Sequence, residues 1–308
     1  MANIIAVIWD FDKTLLQGYM QDPIFSHYGI DGNAFWNEVN DLPAMYWKEQ
    51  GVRVNRDTIY LNHFLHYVKD GRFRGLSNAM LRQFGQELNF YPGLPDFFRR
   101  TREEAEKNQR FQEYDIHVEH YVVSTGMAEI IKGSSIYPLI KDVWGCEFIE
   151  APDDAGHSVI SEIAYTIDNT TKTRALFEIN KGVPHIKGNT EDAAISVNTK
   201  LPEPYRRVHF QNMIYIAYGP SDIPAFSVIN QYGGSTFAVY PKGDEKALQQ
   251  VEQLRMDGRV SMYAEADYRP DTTADLWIRN KIHALAERII TEEKDKRRSF
   301  AVPDPKHL

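Results

Sequence analysis

Residues 4–9 read IIAVIW, an unbroken apolar run rich in β-branched side chains that stops at two acids, Asp10 and Asp12. A strand that is apolar on both sides must be covered on both faces, as strands are in a parallel sheet packed between helices. Runs of the same kind recur at residues 121–123, 213–217, 236–240 and 260–263, with helical patterns between several of them. That alternation predicts an α/β fold of three layers around a parallel central sheet. The segments CEFIEA and SVISEIAYTI, separated by PDDAGH, predict a hairpin appended to that sheet.

Residues 17–90 break the alternation: they show helical periodicity and many aromatics but no buried-strand run. A separate helical module is expected there. Within it, DTIYLNHFLHYVKDG predicts a helix capped by Asp57, with Leu61, Phe64, Leu65 and Val68 on one face and Gly71 at its end. The turn YPGLPDFF, with Pro92, Gly93 and Pro95, returns the chain to the main domain. The helix FFRRTREEAEKNQR that follows carries dense mixed charge and is expected to present a solvated face. Farther on, TTKTRALFEINKG predicts a helix with Thr170 or Thr171 as N-cap and Gly182 as its stop. The division expected is a core of residues 1–16 and 91–295, a helical cap at 17–90, and a solvated tail at 296–308 after a C-terminal amphipathic helix.

The formal charge of −8 argues against nucleic acid or anionic membranes as partners, because both need a basic surface. A small anionic substrate is compatible with it if basic residues converge locally. Cys146 is the sole cysteine, so no intramolecular disulfide forms, and it reads as a small buried hydrophobe. The start MANIIAVIWDFD reaches acids without a basic region, which predicts neither a signal peptide nor a membrane span. A cytoplasmic location is the default expectation. His117 and His120 flank Glu119, but three residues apart on a strand they face opposite ways, which argues against a zinc site.

Residues two apart in extended chain point to the same side, so Asp10 and Asp12 address one pocket. In an open α/β sheet that pocket lies beyond the carboxyl ends of the strands. The stretch WDFDKTLL, directly after a buried N-terminal strand, resembles the DxDx[TV] hallmark of the haloacid dehalogenase superfamily of phosphohydrolases. The resemblance implies Asp10 as a nucleophile that forms an aspartyl-phosphate, Asp12 as general acid and base, and Thr14 as the residue bracing the loop. EHYVVSTGM resembles the second motif, in which Ser124 bonds the phosphoryl group and Thr125 and Gly126 offer backbone N–H groups. The third motif is a lysine near a helix N-terminus; Lys172 matches it, with Lys181 and Lys187 as rivals.

IYIAYGPSDIPAF resembles the fourth motif, an apolar strand followed by GDGPSD or GDxxxD, whose acids bind magnesium. Asp222 is retained, whereas Tyr218 stands where an acid is expected. The implied cofactor is Mg2+, held by Asp10, the backbone carbonyl of Asp12, and Asp222, with the site weakened at Tyr218. The helical insertion occupies the C1 cap position of the phosphoserine phosphatase-like branch. Trp36, Tyr46, Trp47, Tyr60 and His63 could line a pocket but are expected mainly in the cap's core; Arg53, Arg56, Arg72 and Arg74 could meet an anionic substrate but are expected mainly at its surface.

The expected activity is magnesium-dependent hydrolysis of a small phosphomonoester, a phosphorylated metabolite, slowed by Tyr218. Two alternatives stay open. One is an inactive protein of this fold that binds a phosphorylated ligand. The other is a haloacid dehalogenase, which the second acid disfavours, since that branch lacks it and needs no metal.

Overall fold

The structure is a computed structural model that describes residues 3–183 and 197–300. Strand β1 (Asn3–Trp9) lies in the middle of a seven-stranded sheet. On one side stand β2 (Ile116–Met127), β3 (Asp142–Pro152) and β4 (Ser158–Tyr165); on the other β5 (Met213–Ala217), β6 (Ser235–Tyr240) and β7 (Met262–Glu265). All neighbours are parallel except β4, which returns antiparallel to β3. The expected α/β architecture and the appended hairpin are thus present. From Ile5 to Trp9, β1 exposes no surface, as its apolar sequence requires. The chain builds outward from β1 to β3 and then returns to β5 on the far side of β1. This reversal opens a crevice beyond the carboxyl ends of the central strands.

Between β1 and β2 come α1 (Asp22–Tyr28), α2 (Gly32–Gln50), α3 (Ile59–Lys69), α4 (Asn78–Gly85), α5 (Asp96–Lys107) and α6 (Gln109–Glu113). Helix α7 (Ala128–Gly133) follows β2, and α8 (Lys172–Lys181) follows the hairpin. After β5, β6 and β7 come α9 (Ile223–Gln231), α10 (Glu245–Met256) and α11 (Thr273–Phe300) respectively. Among the described residues, no helix is long and apolar enough to cross a membrane.

Helices α1 to α4 close over rings that the sequence scatters at helical spacing: Phe25, Phe35, Phe64 and Phe73 are all buried and mutually packed, with Phe25 and Phe35 centroids 4.9 Å apart. Tyr60 and His63 join this cluster, whereas Trp47 is 61% exposed. The chain enters and leaves the helical segment through an antiparallel bridge between Leu16 and Phe90. Gln17 N–H donates to Asn89 O (3.1 Å) and Tyr91 N–H to Leu15 O (2.9 Å) beside it. The segment is not isolated from the sheet, for one continuous buried cluster runs through both. At the base of the cap, α4 meets α7 backbone to backbone. A Cβ on Gly85 would overlap the Ile130 carbonyl oxygen, and one on Gly133 would overlap that of Arg82.

Three local expectations need correction. Helix α3 begins at Ile59 with no side-chain cap; Asp57 instead accepts from Asn169 N–H (3.3 Å), joining the cap to the segment before α8. Only part of the charged face of α5 is solvated: Arg99, Glu103 and Lys107 stay exposed, but α11 lies along the rest, where Arg100 pairs with Asp275 (2.8 Å), and Glu104 with Arg279 (2.8 Å) and His283 (2.7 Å). Helix α11 continues to Phe300, so residues 296–300 are helical rather than tail.

Deep burial also dictates a protonation state. Trp9 Nε1 donates to His120 Nδ1 (3.1 Å), while His120 Nε2 meets Thr101 Oγ1 (2.9 Å). An indole can only donate, so Nδ1 carries a lone pair and the neutral ring holds its proton on Nε2. Burial, with Arg102 adding to it, pushes the His120 pKa down to about 3. His117 lies exposed, away from this network.

The folded pKa lies below the ordinary value, so the unfolded chain takes up the proton first as pH falls. This contribution to stability is complete above about pH 6.5 and erodes below it, by ~2 kcal/mol at pH 5. An imidazole resonance of His120 that titrates near pH 6.5 in an NMR pH series would refute the buried neutral state.

Candidate active site

Asp10 is the first residue beyond β1, and its N–H donates to Ile216 O (2.9 Å), which keeps it in register with β5. The chain then turns back on itself, with Leu15 N–H bonding Phe11 O (2.8 Å). Thr14 Oγ1 thereby reaches Asp10 Oδ2 (2.8 Å), and Tyr268 pins the turn by donating its hydroxyl to Thr14 O (2.6 Å). Lys172, the first residue of α8, is 1% exposed. Its ammonium donates to Asp10 Oδ1 (2.8 Å) and to Asp222 Oδ1 (2.6 Å). Asp222, wholly buried in the loop after β5, also accepts from Tyr215 OH (2.7 Å) and Ser221 Oγ (3.0 Å).

One cation therefore ties two acids from different strands. Burial weighs against the charge of Lys172, but Asp10 and Asp222 hold its pKa well above the ordinary lysine value. Burial pushes the Asp10 carboxyl up; Lys172 draws it back without cancelling the rise. Half-buried Asp12 belongs to a different environment. Its Oδ1 accepts from Met20 N–H (2.8 Å), and lost solvation, then the charge of Asp10, raise its pKa to about 8. A carboxyl poised there can give or take a proton near neutrality.

Ser124 is buried near the end of β2, where its Oγ accepts from Gly126 N–H (3.0 Å). The Gly126 amide is thus turned to Ser124 rather than into the pocket, contrary to expectation, and the serine hydroxyl proton is left to address a ligand. Met20 packs against the same motif, its sulfur accepting from Met127 N–H (3.0 Å), and a side chain on Gly126 would collide with it. Tyr60 of α3 donates its hydroxyl to Thr125 O (2.8 Å), which fastens the cap to β2. Thr125 O also accepts from Cys146 Sγ (3.3 Å), whose thiol is buried and raised to about 11 by that burial.

Of the rival lysines, Lys181 sits at the far end of α8 and donates to Val197 O and Thr199 O (2.6 Å). Lys187 lies outside the described residues. Tyr218 follows β5 directly, with Lys13 Nζ 5.3 Å from its ring centroid.

Among the described residues, no three His, Cys, Asp or Glu side chains gather into a metal cage. Asp10 and Asp222, brought together by Lys172, are the carboxylates that could hold a magnesium ion. A carboxylate offers about four lone pairs. Asp10 uses two on Lys172 and Thr14, and Asp222 uses three on Lys172, Tyr215 and Ser221. Each keeps room for one hard cation. Magnesium, which takes one or two carboxylates and fills its shell with water and phosphate, fits this reduced donor set.

Tyr215 and Met20 were not legible as site residues, whereas Tyr60 was among the aromatics that could line a pocket. Tyr215 carried the clearest signal, since a tyrosine inside a buried strand must find a partner for its hydroxyl.

The strand order and the placing of the four motifs resemble those of a haloacid dehalogenase-like fold. No family model matches the chain. By sequence it belongs to one family with an uncharacterized protein of Borreliella burgdorferi, to which it is 37% identical over 294 residues, 91% of this chain and 97% of that protein. Similar solved structures include a HAD family hydrolase of Salmonella enterica serovar Typhi (13% identity, 85% of this chain and 67% of that one, TM-score 0.49). A phosphoserine phosphatase in apo form is another (12% identity, 87% and 96%, TM-score 0.47).

Replacing Lys172 by Met would leave Asp10 and Asp222 buried without a counter-ion. The expected loss of stability at pH 7 is ~3–5 kcal/mol, read by urea unfolding. An unchanged midpoint would show that the ammonium does not bind both acids.

Proposed function

We propose that this chain is a magnesium-dependent phosphatase of a small phosphomonoester, acting through an aspartyl-phosphate. The observation that carries the reading is the pairing of unlike carboxyls: Asp10 fixed by Lys172 and Thr14, and Asp12 beside it with a pKa near 8. An Asp10 oxygen attacks phosphorus, the bond to the alkoxide breaks, and protonated Asp12 gives the leaving oxygen its proton. Asp12, now ionised, takes a proton from water, whose oxygen attacks the same phosphorus. The acyl-phosphate bond then breaks, and inorganic phosphate leaves with Asp10 restored.

Lys172 fixes the nucleophile's orientation and offsets charge that builds at the phosphoryl group; the Ser124 hydroxyl donates to a phosphoryl oxygen. Magnesium, held by Asp10, Asp222 and the Asp12 carbonyl, would supply further neutralisation of those oxygens when bound. The ordered cap, closed by Tyr60 on Thr125, limits the substrate to a small molecule.

The structural reason to consider a non-catalytic phosphate-binding protein is Tyr218. Restoring an acid there tests it. Tyr218→Asp is expected to raise magnesium affinity and turnover of a generic phosphomonoester about tenfold, the effect of ~1.4 kcal/mol. Equal metal affinity and equal rates in the two forms would sink the claim that Tyr218 weakens the site.

Asp12→Asn should lower turnover by about 10²–10⁴-fold, the usual contribution of a positioned acid or base. The activity loss should be smaller for a substrate whose leaving group needs no proton. A variant as active as the wild type on an alkyl phosphate would remove Asp12 from the mechanism.

A further inference from the structure

The nucleophile loop holds a second cation that the proposed reaction does not use. Lys13 takes φ 57, a left-handed conformation that a residue with a side chain adopts only when its surroundings impose it. Its N–H bonds Gly18 O (3.3 Å), and this geometry carries the side chain between two phenol rings. The ammonium lies 4.5 Å from the ring centroid of Tyr19 and 5.3 Å from that of Tyr218. Tyr19 belongs to the segment entering the cap, and Tyr218 occupies the altered position of the fourth motif. A side-chain hydrogen bond also joins Lys13 to Tyr19.

No salt bridge completes this cation among the described residues. Asp244 acts on it from beyond ion-pair range, and its Oδ1 caps α10 through Ala247 N–H (3.0 Å). Next to Tyr218 and Asp244 stands Tyr91, 6% exposed, whose buried hydroxyl has no partner among the described residues. Tyr91 also lines a cavity of about 270 Å³ together with Gln17 and Lys242. Two ring faces stabilise an ammonium by ~0.5–2 kcal/mol each, which does not replace the water a partly buried charge has lost. An anion seated against Lys13 would complete the arrangement.

We propose that Lys13, clamped by Tyr19 and Tyr218, binds a second anionic group of the substrate. The preferred substrate is then a phosphomonoester whose other end carries a carboxylate or a further phosphate. This inference rests on the phosphatase reading and gives Tyr218 a positive role. A carboxylate at 218 would set a negative charge beside Lys13 and quench the subsite, whereas a phenol holds the ammonium and leaves its charge available.

Calorimetric binding of three non-hydrolysable ligands to the full chain tests it: propylphosphonate, phosphonopropionate and ethylenebisphosphonate. The wild type should bind one or both of the charged-tail ligands about tenfold more tightly than propylphosphonate, and which of the two is favoured identifies the second anion. Lys13→Gln should bring the favoured ligand down to the affinity of propylphosphonate. Tyr218→Phe should keep the preference, because the ring remains, and Tyr218→Asp should abolish it. Equal affinity for all three ligands in the wild type overturns the proposal. So does a Lys13→Gln variant weakened equally toward all three, since Lys13 would then hold the phosphoryl group itself. Should Lys13→Gln fail to fold, the two Tyr218 variants decide. The hydrolase reading is judged separately, on turnover of a phosphomonoester by the wild type against Asp10→Asn.

Discussion

The contact on which the site depends is the bridge from the Lys172 ammonium to Asp10 and Asp222. Each partner arrives by a different route: the end of β1, the loop after β5, and the first turn of the helix after the hairpin. None of the three charges is tolerable in its place without the others, since burial penalises each and only mutual attraction offsets it. Strand order, hairpin and helix start must therefore all be right before the charges can meet. The catalytic arrangement is in this sense a condition on the fold as well as a product of it.

Around that bridge the two carboxyls of the nucleophile loop are set apart. Asp10 is held by a cation and a hydroxyl; Asp12 has a backbone N–H and a negatively charged neighbour. Residues with the same side chain, two positions apart, consequently sit in different surroundings, which is what the proposed division between nucleophile and proton carrier requires.

Much of this was legible because burial leaves a plain mark on sequence. The run IIAVIW and the MIYIA strand could hardly be anything but covered strands, and the acids after β1 follow from where such strands end. What depended on partners far away in sequence was not legible. Asp57 looks like a helix cap, yet its acceptor capacity goes to Asn169 N–H; the charges of α5 look solvent-bound until α11 is laid beside them. Gly126 belongs to the right motif, but only three-dimensional geometry shows its amide spent on Ser124. Lys172 could be picked out by its place at a helix start, while its second partner, Asp222, required the sheet order that brings β5 next to β1.

The glycine contact between α4 and α7 fixes something about movement. With two backbones touching at Gly85 and Gly133, the base of the cap is welded to the helix that begins immediately after the second motif. A rigid swing of the whole cap would have to tear that seam open. The loop at residues 51–58, by contrast, is tied to the core by polar bonds from Asn55 and Asp57 that water can replace. What holds the cap's base in place is a pair of residues that can carry no side chain.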